Sequence, residues 1–272
     1  MTFYQRLAEI STAHQSFLCV GLDTEINKLP EGFKKHRDSI FEFNKAIVDA
    51  TIDLVSCYKP QIAYYGAQGA ELELEKTIDY IKSKNSAVQV ILDSKRGDID
   101  ATAKQYAQES FVRFQADAVT VNPYMGFDTI EPFASYQDKG IFVLCKTSNK
   151  SSVDFQNLSC DGEFLYQKVA KKVAYEWNKN HNLGLVIGAT FPDEILSLRK
   201  IDDQLPFLVP GVGSQGGDLA QVLTKGLSTQ KQGLVINSSR GVIYASQGQD
   251  FQLKARQAAL ELVLEMRKHF DS

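Results

Sequence analysis

Ala87-Val88-Gln89-Val90-Ile91-Leu92-Asp93-Ser94-Lys95-Arg96-Gly97-Asp98-Ile99-Asp100 passes from an apolar, strand-like run into a charged turn. A helical pattern follows over residues 100–114, where Ala103, Ala107, Phe111 and Phe114 form an apolar stripe and Asp100 is placed to cap it. Strand, charged turn and helix together make the unit from which parallel α/β folds are built. Residues two apart on a strand share a side, so Asp93 and Lys95 are expected on one face with Asp98 beyond the turn. Two carboxylates near one ammonium would hold it charged and fixed, which suits a proton donor. A bare D-x-K-x-x-D reads equally well as a surface ion-pair cluster, so its meaning depends on the rest of the chain.

The unit recurs. Strand-like runs lie near residues 17–21, 54–58, 88–92, 118–121, 141–145, 184–188, 207–209 and 233–236. Several are continuously apolar, as expected of parallel strands covered on both faces. Helical patterns separate most of them, and a long one over residues 251–270 carries Leu253, Ala258, Leu260, Leu262 and Leu264. Eight such units of about 30 residues fill a (β/α)8 barrel. No low-complexity linker or change of composition divides the 272 residues. The expected fold class is therefore α/β, a single-domain (β/α)8 barrel over residues 1–272; a doubly wound open sheet is the alternative.

Composition narrows the function. Hydrophobic content of 43% and charged content of 23% are those of an ordinary globular enzyme. A net charge of -3, with no basic stripe interleaved with aromatics, speaks against nucleic acid. No apolar run approaches the roughly 20 residues that span a bilayer. Phe3, Leu7 and Ile10 make the N-terminus a short amphipathic helix rather than a secretory signal. Cys19, Cys57, Cys145 and Cys160 show no C-x-x-C spacing and read as reduced core cysteines, so a cytoplasmic location is expected.

In a barrel of this kind the chemistry sits at the carboxyl ends of the strands. Asp23 follows the first run and Lys59 the second; Asp93, Lys95 and Asp98 follow the third. Asn122-Pro123 and Lys146-Thr147-Ser148-Asn149 follow the fourth and fifth. The seventh leads into Pro210-Gly211-Val212-Gly213-Ser214-Gln215-Gly216-Gly217-Asp218, and the eighth ends in Asn237-Ser238-Ser239-Arg240-Gly241. The glycine-rich turn before the amphipathic segment carrying Leu219, Val222 and Leu223 reads as a phosphate site at a helix N-terminus, with Arg240 supplying a guanidinium. Gly211-x-Gly213-x-x-Gly216 also fits the dinucleotide fingerprint, but it lies late in the chain and no acid stands in the region that should take the ribose. His14, His36, His181 and His269 lie away from the strand ends and read as solvent-facing, and no zinc spacing or G-x-S-x-G elbow is present. A Schiff-base role for Lys95 stays open, although flanking carboxylates favour the ammonium and a nucleophile must be neutral.

Taken together, Asp93-Ser94-Lys95-Arg96-Gly97-Asp98-Ile99, Asn122-Pro123-Tyr124-Met125-Gly126, Lys146-Thr147-Ser148-Asn149, the 210–218 turn and Asn237-Ser238-Ser239-Arg240-Gly241 resemble orotidine 5'-phosphate decarboxylases, most closely the longer bacterial subgroup. The resemblance runs from about Gly21 to Tyr244. It implies a homodimeric barrel that converts orotidine 5'-monophosphate to uridine 5'-monophosphate and carbon dioxide, with no metal and no organic cofactor. It further implies that Lys59, Asp93 and Lys95 are catalytic together with Asp98 of the partner subunit. Asp23 would contact the ribose, Thr102 would reach it from the partner, and Ser148 would contact the pyrimidine. Pro210, Gln215, Ser239 and Arg240 fall at the substrate site, Gln215 and Arg240 on the phosphate. That subgroup carries a proline where this chain has Lys150. The rivals are a magnesium-dependent sugar-phosphate decarboxylase or aldolase of the same superfamily, which places an acidic metal ligand where Lys59 stands, and a catalytically inactive nucleotide-binding barrel.

Overall fold

The computed structural model describes residues 1–34, 37–212 and 216–270. Its strands are β1 (Leu18–Leu22), β2 (Cys57–Pro60), β3 (Gln89–Arg96), β4 (Ala118–Val121), β5 (Gly140–Lys146), β6 (Leu183–Ile187), β7 (Phe207–Pro210) and β8 (Leu234–Ser238). Each pairs in parallel with its sequence neighbours, and β8 returns to β1 to close the barrel. The open-sheet alternative is thereby excluded. All five residues of β1 and of β6 are buried, because side chains on one face fill the barrel and those on the other meet the helices.

The barrel floor is closed by the first helix, Phe3–His14. Thr2 and Gln5 form a reciprocal cap at its start, each side chain taking the other's backbone N–H. Phe3 is fully buried and packs edge-on against Phe142 of β5, with ring centroids 6.0 Å apart. A Cβ at Gly140 would lie 2.2 Å from the Phe3 ring, so glycine there makes room for the plug.

Three local expectations need correction. The third strand does not stop at Leu92 but continues through the charged motif to Arg96. Leu92 pairs with Val119 and Arg96 with Val121, leaving Asp93, Ser94 and Lys95 opposite one β4 residue, Thr120. This bulge, with Lys95 at φ +47°, replaces simple alternation as what brings Asp93 and Lys95 together. Asp100 is not the N-cap of the next helix: Ile99 occupies that position, and Asp100 itself has a φ of +46°. That helix, Asp100–Gln108, passes into a π-turn, Glu109–Arg113, instead of continuing regularly.

Between β5 and β6 the chain inserts a 3-10 turn (Lys150–Ser152), a short helix (Val153–Gln156) and a two-stranded hairpin, Ser159–Cys160 with Glu163–Phe164. Asn149 has φ -70° and ψ 145°, the extended conformation that a residue before proline adopts. The backbone path thus accommodates the subgroup's proline even though Lys150 stands there.

Candidate active site

The carboxyl ends of the strands converge on a cavity of ≈ 450 Å³. Asp23, Lys59, Asp93, Lys95, Ser148, Pro210, Ser239 and Arg240 all line it. Thr147, Asn149, Gln156 and Asn237 add polar groups to the wall, and Leu144 and Val186 give it an apolar side. Gly21 on β1 makes this closure possible, since a Cβ there would lie 1.8 Å from the Ser239 hydroxyl.

At the centre lies Asp93, with 10% of its side chain exposed. Lys59 donates to its Oδ2 at 2.8 Å and Lys95 to its Oδ1 at 2.6 Å. Sequence reasoning expected two carboxylates around one ammonium; the structure places one carboxylate between two ammonium groups. Burial opposes ionisation of Asp93, but the charges of Lys59 and Lys95 outweigh it and hold the carboxyl well below the usual range. Burial likewise opposes the Lys59 ammonium, and Asp93 and Asp23 overcome it, raising its pKa. Lys95 differs in access: 44% of its side chain is exposed, against 4% for Lys59. It is the more open of the two cations to a bound molecule. Asp23 is the remaining acid, its Oδ1 4.0 Å from Lys59 Nζ, buried and without a hydrogen-bond partner. That oxygen faces inward, while the side chain as a whole is partly exposed at the cavity, where a ligand hydroxyl can reach it.

The loop that carries Ser148 is closed at its base by side chains. Gln156 Oε1 accepts the Thr147 N–H at 2.9 Å, and its Nε2 donates to the Thr147 hydroxyl at 2.8 Å. Lys146 Nζ donates to Asn157 Oδ1 at 2.6 Å and sits 4.7 Å above the Phe191 ring. Burial lowers the pKa of Lys146. Sequence reasoning missed Gln156 and Asn157, because nothing in the local pattern shows that the loop folds back on its own base.

The other expected residues lie elsewhere. Asp98 and Thr102 do not line the cavity of their own chain. Asp98 is half-buried with its Oδ1 accepting the Ile99 N–H, and Thr102 is exposed on the helix. Gln215, Ser214, Gly213 and His36 lie outside the described residues. At the helix after the glycine turn, Leu219–Gly226, whose N-terminus was expected to face a phosphate, the Asp218 side chain accepts the Gln221 N–H. A carboxylate in that place disfavours an anion. Arg240, exposed at the cavity's edge, is then the charged group available to a phosphate. The three described histidines do not line the cavity, and His14 is half-buried against the Val55 carbonyl rather than solvent-facing.

Residues 16–252 match the family model described as Orotidine 5'-phosphate decarboxylase / HUMPS family. The chain belongs to this family. It is 50% identical over 264 residues to the orotidine 5'-phosphate decarboxylase of Cellvibrio japonicus (strain Ueda107), covering 96% of this chain and 97% of that one. It is 51% identical over 261 residues to that of Azoarcus sp. (strain BH72), again covering 96% and 97%. Among solved structures it resembles Leishmania donovani OMP decarboxylase, with a TM-score of 0.83, 37% identity and coverage of 98% and 99%. Leishmania donovani UMP synthase matches with a TM-score of 0.86 and 38% identity, covering 98% of this chain and 57% of that one. This membership answers the sequence expectation drawn from the strand-end motifs.

The coupled charges make a pH-dependent prediction. A depressed carboxyl pKa stabilises the fold above the unfolded value of about 3.9 and loses that effect as pH falls through the lower folded value. Lys59→Met removes a buried partner and should cost about 3 kcal/mol at neutral pH. The difference from the parent should shrink below about pH 4, where Asp93 of the variant, with one cation fewer beside it, takes up a proton that the parent's Asp93 still resists. Chemical denaturation across pH 3–8 checks this, and a constant difference would contradict it.

Proposed function

We propose that this chain decarboxylates orotidine 5'-monophosphate to uridine 5'-monophosphate in pyrimidine biosynthesis, with no metal or organic cofactor in the step. The carrying observation is Lys59: it is next to last on β2, is buried, and donates to Asp93 at 2.8 Å. The metal-dependent relatives need an acid there, and an ammonium in its place would repel a divalent cation. Relatives about half identical over nearly the whole chain support the same reading.

The chemistry follows from the charges. Breaking the bond between C6 and its carboxylate releases carbon dioxide and leaves an electron pair in the ring plane, where the π-system cannot delocalise it. Stabilisation must be electrostatic and protonation quick. Lys95 supplies both: a fixed ammonium opposite the developing charge, and the proton that C6 takes. Asp93 faces the substrate carboxylate, and that like-charge contact is relieved as carbon dioxide departs. Lys59 keeps Asp93 ionised and in place. Asp23, partly exposed at the cavity, takes a ribose hydroxyl, and Ser148 takes the pyrimidine edge. Gln215 and Arg240 hold the phosphate, with Pro210 and Ser239 at the substrate site beside it. One preorganised donor contributes about 3–4 kcal/mol, so remote binding at the phosphate must supply much of the remainder.

The protein acts as a homodimer with shared sites. Asp98 and Thr102 lie outside their own chain's cavity, as residues serving a twofold-related site would. Its free cysteines suit a reducing, cytoplasmic compartment, although only Cys19, Cys57 and Cys145 are core residues and Cys160, in the hairpin after β5, is half-buried. No helix of the described residues is long and apolar enough to cross a membrane.

Following the absorbance of orotidine 5'-monophosphate with a chelator present tests the reaction. Full activity is expected; strict dependence on added magnesium would favour the sugar-phosphate rival, and nucleotide binding without turnover would favour the inactive barrel. Mixing inactive Lys95→Ala and Asp98→Ala chains tests the sharing. Random exchange should restore about a quarter of parental activity, because each hybrid dimer has one intact site. If nothing returns although native mass spectrometry shows hybrids, Asp98 works within its own chain.

A further inference from the structure

Thr120 lies on β4 with 1% of its surface exposed, opposite the β3 bulge. Its hydroxyl makes three contacts. It donates to Asp93 Oδ1 at 2.8 Å and accepts the backbone N–H groups of Ser94 at 3.0 Å and Lys95 at 2.9 Å. A hydroxyl has one hydrogen and two lone pairs. With both lone pairs taken by backbone donors, the single proton is directed to the carboxylate. The rotor is therefore frozen by the chain it supports.

The bulge explains why a side chain is needed here. Three residues of β3 face one of β4, so the N–H groups of Ser94 and Lys95 lack a ladder carbonyl. The Thr120 oxygen takes that place. Lys95 meanwhile keeps a left-handed backbone at φ +47°, a conformation held against its own preference. The same oxygen thus fixes the backbone of Lys95 and the carboxylate that Lys95 Nζ contacts at 2.6 Å.

We infer that Thr120 is a positioning residue for the decarboxylation, its hydroxyl setting the left-handed turn at Lys95 and the orientation of the Asp93 carboxylate as one unit. It touches no part of the cavity and acts only through those two residues. The inference rests on the reading of Asp93 and Lys95 as the reacting groups, so its test includes an arm that needs no substrate.

Thr120→Val keeps the shape and removes the hydroxyl, whereas Thr120→Ser keeps the hydroxyl. The valine variant should lose about a hundredfold in kcat, the scale of a 1 Å misplacement. Its KM should stay within about threefold of the parent, since phosphate and ribose contacts are untouched, and serine should restore kcat to within about threefold. In a ligand-free crystal structure of the valine variant, Lys95 should leave the left-handed region and separate from Asp93; in the serine variant both should stay. If valine does not fold, Thr120→Cys, with its weak sulfur acceptor, is read in its place and should show the same split. Retention of the Lys95 turn and the Asp93 contact without the hydroxyl would overturn the inference, as would a kcat within about twofold of the parent. Should the parent itself leave orotidine 5'-monophosphate unchanged, the proposed reaction fails while the crystal structures still decide the role of Thr120.

Discussion

The site depends on one buried carboxylate held between two cations. Asp93 would be costly to bury alone, and so would Lys59. Together they are mutually supporting, and the pair accepts a second ammonium from the same strand at 2.6 Å. The outcome is graded exposure within one charge array: Lys59 least exposed, Asp93 little more, and Lys95 widely open to the cavity. A carboxylate brought into this space would meet a negative charge and a positive one side by side. Such preorganisation is what electrostatic catalysis requires, because the groups need not reorient as charge develops.

The barrel supplies that arrangement from short local devices. Parallel pairing aligns the strand ends, so Lys59 on β2 and Asp93 on β3 become neighbours although 34 residues separate them. The β3 bulge lets Lys95 return over Asp93, and glycine at position 21 keeps β1 clear of Ser239. The loop after β5, closed on itself by Gln156 and Asn157, holds the opposite wall. At the far end of the barrel, the plug built on Phe3 seals the core without reaching the site.

The sequence made much of this legible. Continuous apolar runs at regular intervals have one economical parallel arrangement, and charged residues at their ends mark the face where chemistry occurs. Asp23, Lys59, Asp93, Lys95, Ser148 and Arg240 could therefore be named before any coordinates and meet in one cavity. What stayed hidden depends on backbone detail or long-range return. Alternation cannot foresee a bulge, so the left-handed turn at Lys95 was out of reach. Asp218 looked like part of a phosphate turn because glycines surround it, yet its side chain caps the helix and places a negative charge there. The contacts of Gln156 and Asn157 arise only once the loop has returned to β5.

The most direct test of the central claim replaces the carboxylate itself. Asp93→Asn keeps the size of the side chain and removes the charge that the two lysines share. If Asp93 acts on the substrate carboxylate while holding Lys95 in place, kcat for orotidine 5'-monophosphate should fall by at least about a thousandfold. Affinity for uridine 5'-monophosphate, which has no carboxylate at C6, should stay near that of the parent. A variant that binds uridine 5'-monophosphate normally and keeps more than about a tenth of parental turnover would contradict the account.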